Sequence, residues 1–421
     1  MKYCTFYLKV YIVILSLFNF TAILSSQPSG WYNRPSGTTA SLYSVYFVSA
    51  STGYAAGGTG IVRATTDGGD YWYPLNTGTA WTLYDIRFAN LNTGWIVGAG
   101  GTIRKTTNGG TSWTGQTSGT VWNLYSCFFT NINTGWITGY GGIILKTTNG
   151  GTNWNTQTSG TYDDLNSIYF VSDNTGWCAG FNGTVIGTTN GGTNWNNYTN
   201  LGNTINSIHF ISPTTGWLVG YNGVIEMTTN SGTSWILQNS NTTNSLYGLY
   251  FLPAAASVYK GWAVGTSGVI RYTSNSGTNW ETQMSYTTQQ LRDVFFINAI
   301  TGWTVGLNGT ILKTITGGLT GVNNENNVVN EFKLEQNYPN PFNPFTKIKF
   351  NLPNNILRSE NNVKLIIYDI LGKEIHTIIN QEMMPGHHEI VFDGSNFVSG
   401  IYFYKLTAGD FSETKKFTLV K

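Results

Sequence analysis

The sequence predicts an all-β protein, a seven-bladed β-propeller followed by a small Ig-like β-sandwich. Three observations carry this. The stretch "TIRKTTNGGTSW" at 102–113 returns as "IILKTTNGGTNW" at 143–154 and "TVIGTTNGGTNW" at 184–195. A "TG" or "KG" step, closed by Trp or Tyr, recurs with its glycine at Gly53, Gly94, Gly135, Gly176, Gly216, Gly261 and Gly302, a period near 41. A period near 40 with several short strands per unit is the signature of a propeller, and seven copies mean seven blades. After Gly318 the text changes to alternating strands separated by Asn-Pro and Gly turns, as in a sandwich.

Each unit parses into four strands, a to d. In the second copy these are "LYDIRF" (83–88), "GWIVG" (94–98), "TIRKT" (102–106) and "SWTGQ" (112–116). Alternating apolar residues mark half-buried strands, and glycine-rich pairs mark the hairpins. Tryptophans close strand d at Trp72, Trp113, Trp154, Trp195, Trp235 and Trp280, but the seventh unit, "TILKTITGGLTG", has none. The stretch "SGWYNRPSGT" (29–38) matches "TSWTGQTSGT" (111–120), with Trp31 one period before Trp72. The start of the domain therefore supplies the seventh strand d and removes a sheet edge.

Composition fits this reading. Charged residues are 10% of the 421, aromatics 15%, and glycines number 51. The net charge of +2 leaves no electrostatic footprint for nucleic acid. At the N-terminus, Lys2 and Lys9 precede the apolar run Val10–Leu24, and Ser25 and Ser26 follow. This is read as a secretory signal peptide over 1–26. No other segment is apolar enough to span a bilayer, so the mature chain is expected to have no transmembrane segment. Cys127 and Cys178 then remain, expected as two buried thiols. The domain plan is 1–26 signal, 27–318 propeller, 319–331 linker and 332–421 C-terminal domain.

The repeated unit fits T-x-[DN]-x-G-x-x-W, with Asp67, Asn108, Asn149, Asn190, Asn230 and Asn275 at its acidic or amide position. It resembles the Asp-box, or BNR, repeat of sialidases, sortilin-like receptors and propellers similar to photosystem II assembly factors. The wording "GWxVGxxGTIxKTTNGGxxW" is most similar to the last group. The six side chains are expected to brace the turn by bonding backbone N–H groups, not to bind a metal. One carboxylate per turn, mostly replaced by Asn, makes a poor calcium cage. Sialidase-like hydrolysis would need an acid, a second carboxylate or activated Tyr, and by resemblance an arginine triad. No such pair stands out. Arg63, Arg104 and Arg271 share one strand-c position, beside Lys105, Lys146 and Lys313, and read as a solvated strand face. His209 in "SIHF" reads as a packing residue. No catalytic residue and no cofactor are assigned.

Binding is the expected class, of an extracellular protein or glycan, with a sialidase-like hydrolase as the alternative. The d–a loops and b–c turns leave one face of the ring and the boxes leave the other. Trp81, Trp122 and Tyr162 are read as equivalent positions in the d–a loops, and Tyr140, Phe181 and Tyr221 in the b–c turns. Aromatic residues gathered on one side suit an interaction patch, or else cap the contacts between blades.

The C-terminal stretch 332–421 closely resembles the type A sorting domain of type IX secretion. The matching residues are Tyr338, Pro339, Asn340, Pro341 and Phe342, with Gly372, Gly400, Lys415 and Lys416 further on. The resemblance implies secretion machinery as a partner, Sec export followed by outer-membrane translocation, and a secreted or surface-attached product.

Overall fold

The structure, a computed structural model, describes residues 30–253, 258–319, 331–352, 362–382 and 386–420. The signal-peptide reading over 1–26 and most of the linker over 319–331 lie outside these residues. The chain divides into two compact units, Met1–Thr320 and Gly321–Lys421.

The first unit is seven four-stranded antiparallel sheets. Six run in simple sequence order, the second being 83–88, 94–98, 103–106 and 114–116. The seventh is built from both ends of the unit, since Trp31–Asn33 pairs antiparallel with Ile311–Thr314. Strand a lines the centre of the ring, strands b and c carry the densest burial, and strand d is the outer edge. Between b and c every blade makes one tight turn, Gly58–Gly60 in the first and Leu307–Gly309 in the last.

The "GW" step explains itself in packing. A Cβ on Gly94 would lie 2.6 Å from the ring of Phe88 in the same blade. All seven step glycines meet their own strand-a Phe in this way, at 2.3–2.6 Å. The neighbouring aromatic residue points instead to the next blade. Trp95 stacks on Phe129 at 3.6 Å, and Trp154 meets the same Phe edge-on at 6.0 Å. The same trio recurs as Trp136, Phe170 and Trp195, and at ring closure as Trp262, Phe296 and Trp31. Stacked and edge-on pairs of this kind add about 0.5–1.5 kcal/mol each beyond area burial.

Polar groups finish the same joints. Trp95 Nε1 donates to the Gly150 carbonyl in the next blade's box at 3.3 Å, and Trp303 Nε1 donates to Gly68 at 3.0 Å. In the first blade Tyr54 replaces the Trp, and its hydroxyl donates to Gly109 at 2.9 Å. Lys105 and Lys146 also reach across, to Gly150 and Gly191, both at 2.7 Å. Lys313 pairs with Asp70 at 2.8 Å. Arg63 and Arg104 bond the carbonyls of Gly37 and Gly78, and Arg271 that of Asn241. These six cations are therefore not the solvated strand face expected from their repeat position. Long side chains lie along the strand; five give their charged ends to loop or box carbonyls and Lys313 gives its own to Asp70.

The second unit has a three-stranded sheet (333–334, 345–352, 386–393) and a four-stranded one ordered 374–382, 362–368, 400–408, 411–419. One core joins them, with Ile348, Phe350 and Phe392 from the first sheet against Leu365, Tyr404 and Phe417 from the second.

Trp31 is 1% exposed, and its indole donates to Gln283 Oε1 at 2.7 Å, so the closing strand is fixed by a buried ring as well as by pairing. A chain that begins at Ser41 should melt well below the full unit or aggregate. Trp31→Ala alone should cost about 3–5 kcal/mol, as for other buried tryptophans. Equal melting temperatures for the shortened and full chains would refute closure by this strand.

Candidate functional site

The Asp boxes lie between strands c and d, and their side chains are spent locally. Asp67 Oδ1 accepts the Asp70 and Tyr71 N–H groups, both at 3.0 Å, and the Thr65 hydroxyl at 2.8 Å. Burial pushes its pKa up, but the bonds from Tyr71, Thr65 and Asp70 outweigh this and hold the carboxyl below the usual range. Asn108, Asn149, Asn190, Asn230 and Asn275 each accept the N–H four residues on at 2.9–3.0 Å. An amide does this as well as a carboxylate, so one box keeps Asp while five have Asn.

The opposite face is formed by the d–a loops and b–c turns. All six sequence-selected aromatic residues are exposed there: Trp81 60%, Trp122 54%, Tyr140 45%, Tyr162 96%, Phe181 50% and Tyr221 44%. Trp122 and Tyr140 stack at 4.9 Å, one from the loop and one from the turn. The ring of Trp81 lies 3.5 Å from the space above Gly100.

One equivalence needs correcting. The Trp81 and Trp122 N–H groups are held by Thr79 Oγ1 and Thr120 Oγ1, and in the next loop Thr161 Oγ1 holds Asp163. Asp163 thus occupies the tryptophan slot, and Tyr162 sits one residue earlier, where nothing packs on it. Asp163 accepts Asn182 Nδ2 and the Thr184 hydroxyl, while Asp164 accepts the Gly141 N–H at 2.8 Å.

Within this face opens the channel, whose mouth single-position reasoning missed. The second residue of each strand a forms a ring: Tyr43, Tyr84, Tyr125, Asn166, Asn206, Tyr247 and Arg292. Tyr43 meets Tyr84 at 5.8 Å and Tyr84 meets Tyr125 at 5.5 Å. The Arg292 guanidinium lies over Tyr247 at 4.5 Å and Tyr43 at 5.5 Å. Reading one strand position across all seven blades would have revealed this ring.

Deeper, a second ring closes the channel with Tyr46, Arg87, Phe128, Tyr169, His209, Tyr250 and Phe295. Its neighbours touch at 4.5–5.2 Å from Phe128 round to Tyr46. Burial, with Arg87 adding to it, drives His209 down to about 3, so it is a neutral packing residue.

The acids beside this ring link neighbouring blades. Asp85 accepts the Ser44 hydroxyl at 2.8 Å and the Cys127 N–H at 2.9 Å, and Asp293 accepts the Val45 N–H at 2.9 Å. Cys127 and Cys178 are free and buried, and burial pushes both thiols up.

In the second unit the YPNP segment is an exposed loop pinned at its ends. Tyr338 is 81% exposed, and Pro339, Asn340 and Pro341 are exposed beside it, whereas Phe342 is 3% exposed in the core. Asn340 Oδ1 accepts the Thr418 N–H and its amide reaches the Lys416 carbonyl, which ties the loop to the last strand. Lys415 pairs with Glu413 at 2.8 Å.

These features define the class: an Asp-box propeller joined to a C-terminal sorting domain. The family model described as photosynthesis system II assembly factor YCF48 matches residues 71–159 and 198–288, and that of the secretion system C-terminal sorting domain matches 336–420. Among solved structures the chain is similar to YCF48 from Cyanidioschyzon merolae, at 18% identity and TM-score 0.58, covering 68% of this chain and 99% of that one. It is also similar to a structure of YCF48 bound to D1 peptide, at 19% and 0.59, covering 69% and 98%. The WD40 β-propeller domain of Doa1 follows at 12% and 0.58, covering 68% and 96%. At these identities the likeness shows the fold. No curated protein matches the sequence significantly. The chain is thus a propeller similar to photosystem II assembly-factor-like proteins that carries a type IX sorting domain, the mark of export to the cell surface or the medium.

Burial pushes the Asp293 carboxyl up to about 6, against the opposing pull of Arg87 and the Val45 N–H. The folded state then keeps a proton that the unfolded chain releases near pH 4. This group's contribution to stability is therefore fully present at low pH and is lost as pH rises through about 6. Comparing wild type with Asp293→Asn in melting curves across pH 4–7, the wild type should lose about 1–2 kcal/mol relative to the variant toward neutrality. A pH-independent difference would show that Asp293 titrates normally.

Proposed function

We propose that this protein is a non-enzymatic binding module that works outside the cell and recognises a protein segment or glycan with the face carrying Trp81, Trp122, Tyr140, Tyr162, Phe181 and Tyr221. The observation that carries this is the exposure of all six rings on the one face where the channel opens. Large apolar rings left in water, with a stacked Trp122–Tyr140 pair among them, are what an interface uses as anchors. The tyrosine ring of the mouth and the Arg292 cation extend that surface inward. A solved YCF48 propeller with a bound D1 peptide adds support for a peptide ligand on this fold. The hydrolase alternative is disfavoured because Asp85 and Asp293 give their oxygens to neighbouring blades.

Trp81→Ala or Trp122→Ala should weaken ligand binding by about 1–2 kcal/mol or more with little loss of stability. The measurement is an affinity and a melting curve for each variant, against ligand recovered by pull-down from the native community. Unchanged affinity with a large fall in melting temperature would make the rings structural. Fluorogenic glycosides supply the second arm, and turnover that is lost on replacing an acid near the channel would reverse the choice of class. Deleting 332–421 should leave the protein in the periplasm of a host with a working type IX system. Finding the shortened form on the surface would overturn the sorting role.

A further inference from the structure

Each d–a loop has a left-handed residue, which in six of the seven is the middle of a shared three-residue turn and in the shorter loop before Ile205 is Gly202. The residues are Gly37, Gly78, Gly119, Gly160 and Gly202 at φ +69 to +79, Asn241 at +54 and Tyr286 at +54. Glycine and asparagine accept this conformation, whereas a bulky side chain adopts it only under strain. The flanking scaffold holds Tyr286 to it: Ser285 Oγ bonds the Thr287 carbonyl and N–H, as Ser118 does around Gly119. Packing does not compensate, because the Tyr286 ring is 73% exposed.

The strand-c position that faces these turns varies among the blades. In blades 1, 2 and 6 an arginine of strand c binds the carbonyl of the left-handed residue. Leu145, Ile186 and Glu226 hold that position in blades 3, 4 and 5 without making that bond, and neither does Leu312 in blade 7. An open groove of about 1160 Å³ lies there, lined by Tyr286, Tyr32, Asn33, Arg34, Asn308 and Leu312 among others. The Arg34 guanidinium lies 4.8 Å over Tyr32 and reaches the same Asp70 oxygen as Lys313, at 2.9 and 2.8 Å, so two cations share one carboxylate. The lining thus sets an exposed phenol beside amides and hydroxyls, with the Arg34 cation at one side.

We infer that this groove between blades 6 and 7 is a binding subsite for a glycan, with Tyr286 as its stacking platform. A pyranose offers a flat C–H face to a tyrosine ring and hydroxyls to Asn33, Asn308 and Thr310. The strain at Tyr286 is kept because the ring must project over the groove. The site is separate from the six rings of blades 2 to 5 and does not depend on them.

The test uses the full exported chain and a panel of neutral oligosaccharides (hexaoses of cellulose, xylan, mannan and starch), with oligogalacturonate as the acidic comparison, read by calorimetry. At least one of these oligosaccharides should bind. Tyr286→Gly, which restores the residue of five other loops, should raise the melting temperature by a few degrees and weaken that binding roughly 10-fold or more. Tyr286→Phe should bind within about 3-fold of wild type, since the ring is retained. Trp122→Ala should leave this binding in place, which separates it from the aromatic face. The inference is overturned if none of these oligosaccharides binds or if Tyr286→Gly binds as well as wild type. A lower melting temperature for Tyr286→Gly would remove the strain on which it rests.

Discussion

The structure depends on one joint, repeated seven times. An aromatic residue of strand b leaves its own blade, stacks on the strand-a Phe of the next, and gives its polar hydrogen to the next blade's box. Three requirements meet there. The Phe needs a glycine beneath it, the ring needs a partner to stack on, and the box must turn a carbonyl toward the indole. A buried indole N–H left unpaired would cost about 1–3 kcal/mol, so ring and box are tied to each other in energy as well as in space. The box is therefore the acceptor half of the inter-blade contact, which is why it is rewritten with so little change.

Because each joint links one blade to the next, the ring is stable only when it closes. Trp31 completes the last joint from the far end of the unit, meeting Phe296 edge-on and Gln283 through its indole. Closure covers the strand-c edge that the last blade would otherwise expose. It also frees the other face. The d–a loops and b–c turns contribute little to the joints, so they vary among the repeats. Gly58, Tyr140, Thr266 and Leu307 fill one turn position, and Trp122, Asp163 and Gln289 one loop position. Variation on a rigid ring is where recognition is expected.

The sorting domain follows a similar division. Phe342 and the bonds of Asn340 to the last strand anchor its YPNP loop, while Tyr338 and its neighbours stay in water. Core anchors thus hold an exposed segment in one shape.

Much of this was legible in the chain itself. The period of the "GW" step gave the blade count, and the match of 29–38 to 111–120 gave the closing strand, because a repeat writes the same packing requirement each time. The exposure of Trp81, Trp122 and Tyr140 could be expected from loop position alone. Other features needed the tertiary structure. Arg104 and Lys105 are adjacent on strand c and face opposite sides of the sheet, yet both bond carbonyls, of a loop and a neighbouring box, that sequence order does not bring near. Tyr43, Tyr247 and Arg292 lie up to 249 residues apart and form one channel mouth only when the ring closes. The strain at Tyr286 is a backbone angle, set by the turn around it, and a residue name carries no φ. Local patterns determine which strands form and how often. Contacts between distant blades decide which side chains face water, which face one another, and where a ligand could sit.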